Sequence, residues 1–556
     1  MACRTLLGLY CLFTLVQMAN STPPEDPVKC VSGNTNCAVT NSLGAFPDRS
    51  TCEAANVAYP TTEAELVSIV ASATKAGRKM RVTTRYSHSI PKLVCTDGND
   101  GLFISTKFLN HTVRADAKAM TLTVESGVTL KQLIAEAAKL GLALPYAPYW
   151  WGLTVGGMMG TGAHGSSLWG KGSAVHDYVT EIRMVSPGSV NDGFAKIRVL
   201  SEATTPSEFN AAKVSLGVLG VISQVTFELQ PMFKRSLNQG KVVYRIDDRV
   251  ADNTFGNGLY DFLPFRSQPS VAVATTRSSE ETQETLRDAH GKCAAATAIS
   301  SALFSASYGL TNNGIIFTGY PVIGSQNRMM ASGSCLDGLE DGLTTACPWD
   351  SRIKGVSFHQ TCFSIPLSQV KTFINDIKSL IKIEPKSLCG LELYYGILMR
   401  YVTSSPAYLG KETEGIDFDI TYYRAKDPLT PRLYEDFIEE IEQIALFKYN
   451  ALPHWGKNRN IAFDGVIKKY KNAPEFLKVK ESYDPNGLFS SEWTDQILGI
   501  KGNTTIVKDG CALEGLCICS EDAHCAPTNG YLCRPGKVYK EARVCTHVNN
   551  VSLQRD

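Results

Sequence analysis

From Leu153 to Gly172 the chain reads LTVGGMMGTGAHGSSLWGKG. Glycines this dense give up side-chain packing and helix propensity, so such a stretch survives only where backbone must turn sharply or come close to something. Within it, Gly160-Thr161-Gly162-Ala163-His164-Gly165 has the spacing G-x-G-x-x-G. A dinucleotide site uses that spacing because a Cβ would keep the backbone from the pyrophosphate. The Rossmann form of the motif closes a strand near the start of a βαβ unit and then opens a helix. Here residues 166–172 are rich in Gly and Ser and make a poor helix, and the motif lies well over a hundred residues into the chain. Two readings stay open on these residues alone: a plain tight loop, or a phosphate cradle of successive backbone N–H groups without a helix.

Periodicity around this stretch predicts closely alternating strands and helices. Thr62-Glu63-Ala64-Glu65 is a capping box that opens a helix with Leu66, Ile69, Val70 and Ala73 on one face and Gly77 at its stop. Strands are expected over residues 79–84, 102–106, 120–125, 178–185 and 221–229, and a second capping box at Thr129 opens a helix ending near Gly141. Beyond residue 234 loops separate apolar strands, among them 390–402 and 416–423, and a helix runs from Pro431 to Lys448. A chain of 556 residues exceeds one ordinary core, so more than one domain is expected. The divisions read as a signal peptide at 1–21, an extension at 22–51, a first domain at 52–233, a second at 234–504 and a cysteine-rich tail at 505–556.

The N-terminus carries Arg4, a mostly apolar run over residues 6–16 and small residues at Ala19-Asn20-Ser21, the order of a secretory signal. No segment is long and apolar enough to span a bilayer stably. Six of the seventeen cysteines fall beyond residue 505, and in a secreted chain they read as three disulfides whose pairing spacing does not fix. Zinc, through Cys517, Cys519 and His547, is the alternative; secretion favours disulfides, so no metal is expected. Asn110, Asn503 and Asn550 head glycan acceptor triplets. A formal net charge of +1 offers no field suited to a phosphate backbone, which argues against nucleic acid as a partner. Nothing here sets an oligomeric state.

Four segments resemble, in order and spacing, the FAD-binding domain of the vanillyl-alcohol oxidase family: YPTTEAELVSIVASATKAGRKMRVTTRYSHS, TLTVESGVTLKQLIAEAAKLGLALP, TVGGMMGTGAHGSS and SLGVLGVISQVTFELQP. With the tetrapeptide His454-Trp455-Gly456-Lys457 and the cysteine-rich tail, nearly all of the mature chain resembles the plant L-gulonolactone oxidases, within the aldonolactone oxidoreductase branch. The resemblance implies an α+β fold: a two-subdomain FAD-binding domain, an α+β substrate (cap) domain and a small disulfide-rich tail. It implies FAD held by a first turn, Arg85, Tyr86, Ser87, His88 and Ser89, and by a second at Gly156, Gly157, Gly160, Thr161, Gly162, His164, Gly165 and Ser166. Gly220 and Ile222 would lie beside the flavin or adenine. Relatives often carry glycines where this chain has Tyr86 and Ser87. His88 matches the residue that tethers flavin covalently in many relatives; a loop histidine that only hydrogen-bonds is the alternative. No cysteine between Pro145 and Gly157 offers a second link.

On the substrate side the resemblance points to Lys457 as base or electrostatic group, to Arg400 on a buried strand, and to Asp419, Thr421 and His454 beside the substrate. Relatives pair the arginine with a glutamate two residues earlier, where this chain has Leu398; Asp419 is the candidate replacement, sharing a strand face with Asp417 and Thr421. The implied reaction is oxidation of the C2 hydroxyl of a sugar lactone, L-gulono-1,4-lactone, by O2 to ascorbate and H2O2. Rival readings are a flavin oxidase or dehydrogenase for another sugar, alditol or alcohol, and a secreted binding protein without flavin.

Overall fold

The computed structural model describes residues 26–39, 51–85, 91–148, 152–168, 170–237, 308–310, 317–319, 322–325, 357–384, 387, 397–424, 427–432 and 434–548. Its first sheet contains β1 (Val28–Ser32), β2 (Thr35–Val39), β3 (Cys52–Ala58), β4 (Met80–Thr83) and β5 (Leu102–Ser105), in the order β1-β2-β3-β5-β4. β5 runs parallel to both β3 and β4. Parallel neighbours need a crossover, and α1 (Glu63–Lys75) supplies the one between β3 and β4. The Thr62 side chain caps α1 by accepting from the Glu65 N–H; Leu66, Val70 and Ala73 face the core, and Gly77 reverses the chain at φ +63°. Disulfides Cys30–Cys37 and Cys52–Cys95 pin this sheet's edge.

The second sheet is antiparallel: β6 (Thr112–Asp116), β7 (Thr121–Glu125), β8 (Val179–Pro187), β9 (Ala195–Ser201) and β10 (Val221–Glu228), ordered β9-β8-β10-β7-β6. α2 (Leu130–Lys139) opens on the full Thr129–Gln132 capping box. The glycine-dense stretch holds α3 (Val155–Thr161), a helix the sequence reading did not foresee. It is capped by the Thr154 hydroxyl and ended by Gly162 at φ +67°. The G-x-G-x-x-G spacing therefore follows a helix end, the reverse of its Rossmann placement.

The second domain's four-stranded sheet is made of β11 (Ser357–Pro366), β12 (Leu398–Val402), β13 (Gly415–Arg424) and β14 (Leu452–Pro453), ordered β12-β13-β11-β14. α4 (Leu367–Ile383) and α5 (Glu435–Gln443), the latter continued by a π turn over Ile444–Lys448, cover it through a core that includes Phe363, Phe373, Phe418 and Ile441. Sheets and helices are segregated rather than regularly alternating, an α+β arrangement in both domains.

The chain then returns to the first domain, and the return reaches far past the tetrapeptide. α6 (Ala473–Tyr483), α7 (Glu492–Ile497), Trp455 and Phe463 all join the core of the antiparallel sheet. Arg81, 1% exposed on β4, gives its guanidinium N–H groups to the carbonyls of Leu93, Leu216 and Phe489. Arg81→Leu should strand those carbonyls without partners and lower unfolding free energy by about 3 kcal/mol, measurable by urea titration. The tail is closed by Cys511–Cys517, Cys519–Cys533 and Cys525–Cys545, so its six cysteines are disulfide sulfurs and not zinc thiolates.

Candidate active site

The chain leading into the first expected phosphate turn packs against the second turn. Thr84 follows β4, and its Cγ2 lies 3.3 Å from where a Cβ on Gly157 would stand. A Cβ on Gly165 would strike the Ala147 carbonyl at 2.8 Å, whereas one on Gly160 would project into open space. The result is a backbone surface kept bare on one side and packed on the other, the form a diphosphate cradle requires. Arg85, the first residue of the other expected turn, follows Thr84 in the chain. Tyr86, Ser87, His88 and Ser89 lie outside the described residues, and so does Asn550. Gly220 packs against the Val185 carbonyl of β8, 2.4 Å from its would-be Cβ, and Ile222 is buried in the core. Asn503 is exposed and Asn110 half-buried.

The second domain's sheet presents its polar face to this turn. Asp419 on β13 is 3% exposed and accepts from three groups: Arg400 Nη2 at 2.8 Å, Gln360 Nε2 at 2.7 Å, and the Lys457 ammonium. Leu398, where the resemblance expects a carboxylate, is the cross-strand partner of Asp419. Thr421 pairs in register with Gln360 on β11. Arg400 also donates to the His164 carbonyl at 3.4 Å, and Ser166 Oγ accepts the Tyr401 N–H at 3.0 Å, so the glycine turn is sewn to β12.

Two residues along β13, Asp417 forms a second ion cluster. Its Oδ2 lies 2.9 Å from His164 Nε2 and its Oδ1 3.2 Å from Lys411 Nζ. Burial alone would raise its pKa; Lys411 and His164 outweigh that and hold the carboxyl well below the usual range. Within this buried pair of clusters, two carboxylates face three fixed cations, Arg400, Lys411 and Lys457. That surplus of positive charge sits beside the bare glycine turn, where a reduced, anionic flavin would need it.

The tetrapeptide closes the arrangement. Trp455 donates its indole N–H to Leu409 O at 2.9 Å and stacks on Phe463 and Tyr470. The His454 ring is 5.4 Å from the His164 ring, and its Nδ1 accepts the Gly456 N–H, so the neutral ring carries its proton on Nε2. Burial, then Lys457, pushes His454 well below the usual imidazole range. A Cβ on Gly456 would come within 3.1 Å of Thr161 Oγ1. Gly456→Ala should therefore push the tetrapeptide off the glycine turn and reduce turnover by about tenfold with little change in melting temperature; steady-state kinetics checks it.

The described residues therefore fit FAD: a bare glycine turn, a surplus of buried cations and a neutral histidine in one place. Sequence reasoning brought Arg400, Asp419, Lys457 and His454 to one site. It missed Gln360, Lys411 and the Asp417–His164 pair. A glutamine in the apolar run of β11 was a usable signal for the first; Lys411 sits in a loop with no pattern.

Among solved structures, the fold is similar to "Solvent-stable cholesterol oxidase" at TM-score 0.60 and 15% identity, covering 86% of this chain and 100% of that one. It is also similar to "Chitooligosaccharide oxidase" at TM-score 0.51 and 14% identity, covering 84% and 96%. A family model for the FAD binding domain matches residues 54–189, one for D-arabinono-1,4-lactone oxidase matches 351–497, and one for the L-gulonolactone oxidase 2-like C-terminal domain matches 508–547. The chain is thus an FAD-dependent oxidoreductase of vanillyl-alcohol oxidase type, with an aldonolactone-oxidase substrate domain. It is 86% identical to "L-gulonolactone oxidase 5" and 80% identical to "L-gulonolactone oxidase 2" of Arabidopsis thaliana, with at least 98% of each protein covered. It belongs to the plant L-gulonolactone oxidase family. A more distant relative, "L-gulono-1,4-lactone dehydrogenase" of Mycobacterium tuberculosis, is 25% identical over 82% of this chain and 98% of its own length. Among the described residues no helix is long and apolar enough to cross a membrane.

Proposed function

We propose that this chain oxidises the C2 hydroxyl of L-gulono-1,4-lactone and passes the electrons to O2, giving H2O2 and a 2-keto lactone that tautomerises to ascorbate. The observation that carries this reading is Asp419 gripped by Arg400 and Lys457 beside the glycine turn, with relatives named for that lactone. FAD, when bound, supplies the hydride acceptor. The chain's own residues do the rest. Arg400 and Lys457 place positive charge where the hydroxyl oxygen gains electron density, and Asp419 fixes both in position. His454, held neutral, offers its Nε2–H to a lactone oxygen.

Three further parts belong to the same proposal. The protein enters the secretory pathway and works either outside the cell, in the wall, or within the vacuole; the N-terminal apolar run and the disulfides support this. Asn110 and Asn503 carry glycans there. His88 tethers the flavin.

Oxygen consumption and H2O2 release on a panel of lactones and alditols test the reaction. Turnover with L-gulono-1,4-lactone and stoichiometric peroxide is expected. Reduction of cytochrome c without peroxide would favour a dehydrogenase, the reading that the mycobacterial relative suggests. Acid precipitation tests the tether: yellow colour should stay with the wild-type pellet and move to the supernatant in His88→Ala.

A further inference from the structure

Behind the glycine turn, away from the Asp419 cluster, lies a cavity of about 20 Å3 whose walls include Thr161, His164, His176, Thr403, Lys411 and His454. Four of its lining residues carry a buried polar atom with no hydrogen-bond partner among the described residues: Ser173 Oγ, His176 Nδ1, Thr403 Oγ1 and Lys411 Nζ, the last of which has only its ion-pair contact with Asp417. Ser173 is 1% and His176 2% exposed. Leaving such groups dry costs about 1–3 kcal/mol each. The space exceeds the roughly 10–15 Å3 that one water needs, and the walls supply more than enough partners.

The far wall leads to an acid outside both ion clusters. His176 Nε2 is 2.9 Å from Ser405 Oγ, which donates to Asp177 Oδ1 at 3.0 Å. Asp177 Oδ2 is buried and has no hydrogen-bond partner among the described residues. It faces Thr403 across Gly172: a Cβ there would strike Thr403 Oγ1 at 2.0 Å and Asp177 Oδ2 at 2.8 Å. Gly172 thus keeps open the gap between cavity and acid.

We propose that this cavity is a water site, and that its water connects the substrate side, past His454, to Asp177, which stores the proton released when the substrate hydroxyl is oxidised. The proposal rests on the alcohol-oxidising reading of the site. In the step, the O–H bond breaks and its proton passes along the water to Asp177 Oδ2, turning carboxylate into acid. The C–H bond breaks and its electron pair leaves with the hydride; carbon and oxygen are left as a carbonyl. Asp177 returns the proton when O2 takes two electrons and two protons. Asp177 suits a store that fills and empties near neutrality. Burial, against the opposing Ser405 bond and the cations Lys213 and Lys171, pushes it up to about 7. His176 beside it is pushed down to about 3 by burial, then by Lys213 and His164, so it stays neutral. Tyr178, raised by its own burial, stays protonated too.

Infrared spectroscopy of the flavin-loaded enzyme across the neutral pH range tests this without turnover. A protonated-carboxyl stretch should titrate near neutrality, vanish in Asp177→Asn and shift in Ser405→Ala. In kinetics, Asp177→Asn should keep KM, lose about tenfold in kcat and flatten the pH profile of kcat. Thr403→Val, which puts a methyl in the water path, should do the same, and Asp177→Glu should restore part of the loss. Should Asp177→Asn not fold, Thr403→Val and Ser405→Ala carry the test. A carboxyl band unchanged in Asp177→Asn, or a wild-type pH profile in both Asp177→Asn and Thr403→Val, overturns the proposal. If the lactone proves not to be the substrate, the infrared titration still decides whether Asp177 binds a proton near neutrality.

Discussion

Asparagine in place of Asp419 should lower kcat/KM for the lactone by about 100-fold or more. Asp419 is the anion common to Arg400 and Lys457, and it is 3% exposed. Its neutral amide cannot balance either cation, and the two would then repel each other in a place water scarcely reaches. Removing one partner from a buried ion pair costs about 3–5 kcal/mol in stability, so the melting temperature should fall as well. Gln360, which donates to Asp419 Oδ1 at 2.7 Å, would retain an acceptor in the new side chain only if the amide oxygen faced it, leaving the amide nitrogen against the cations. Lys457→Met separates the two effects: it removes one cation and leaves the Arg400–Asp419 pair balanced. Turnover should then fall while flavin content and melting temperature stay close to wild type. Wild-type kcat/KM in both variants would remove this cluster from the chemistry.

The second large effect is expected from the tail. Glu440 on α5 accepts the backbone N–H groups of Lys537, Val538 and Tyr539 at 2.6, 2.6 and 2.7 Å. It is fully buried, and its neighbours repeat the pattern: Glu439 takes the Cys545 N–H, Gln443 exchanges two bonds with Arg543, and Lys537 pairs with Asp436. Hydrogen bonds to a charged group contribute about 1.5–3 kcal/mol each, and here three converge on one carboxylate. Glu440→Ala should therefore cost about 4 kcal/mol and free the segment around residues 536–545, seen as faster amide exchange there. The effect should reach the site. Arg459, two residues past Lys457, is fully buried between Glu442 and the tail carbonyl of Leu513. A loosened tail should thus lower turnover before the protein unfolds. Unchanged exchange around residues 536–545 would show that the tail holds itself by its disulfides alone.

What could be read in advance divides along physical lines. The capping signals at Thr62 and Thr129 are local chemistry: Thr129 forms the full box, while at Thr62 the hydroxyl caps the Glu65 N–H and the Glu65 carboxylate accepts from Thr61 instead. β13 followed from simple alternation, and its run of Asp417, Asp419 and Thr421 announced a polar face. α3 was hidden because three of its seven residues are glycine, a pattern that reads as loop; Thr154 capping and burial of Val155, Met158 and Met159 override the propensity. Partner choice was less legible still. Nothing in sequence spacing links His164 to Asp417, 253 residues away, or the buried carboxylates of α5 to the tail's backbone. Long-range ion pairs leave no periodic trace. The Gly160–Gly165 spacing marked the right stretch through its glycines, while its usual strand–turn–helix context did not apply.

The return of the C-terminal segment sets the order in which the polypeptide can mature during synthesis. Arg81 needs a carbonyl at Phe489, 408 residues downstream, and Trp455 and α6 fill space beside α2 and α3. As the ribosome extrudes the first half, that half lacks both the apolar lid and the acceptor its buried guanidinium requires. It must wait, partly open, until almost the whole message has been translated, with chaperones as its neighbours and the flavin cradle still unformed.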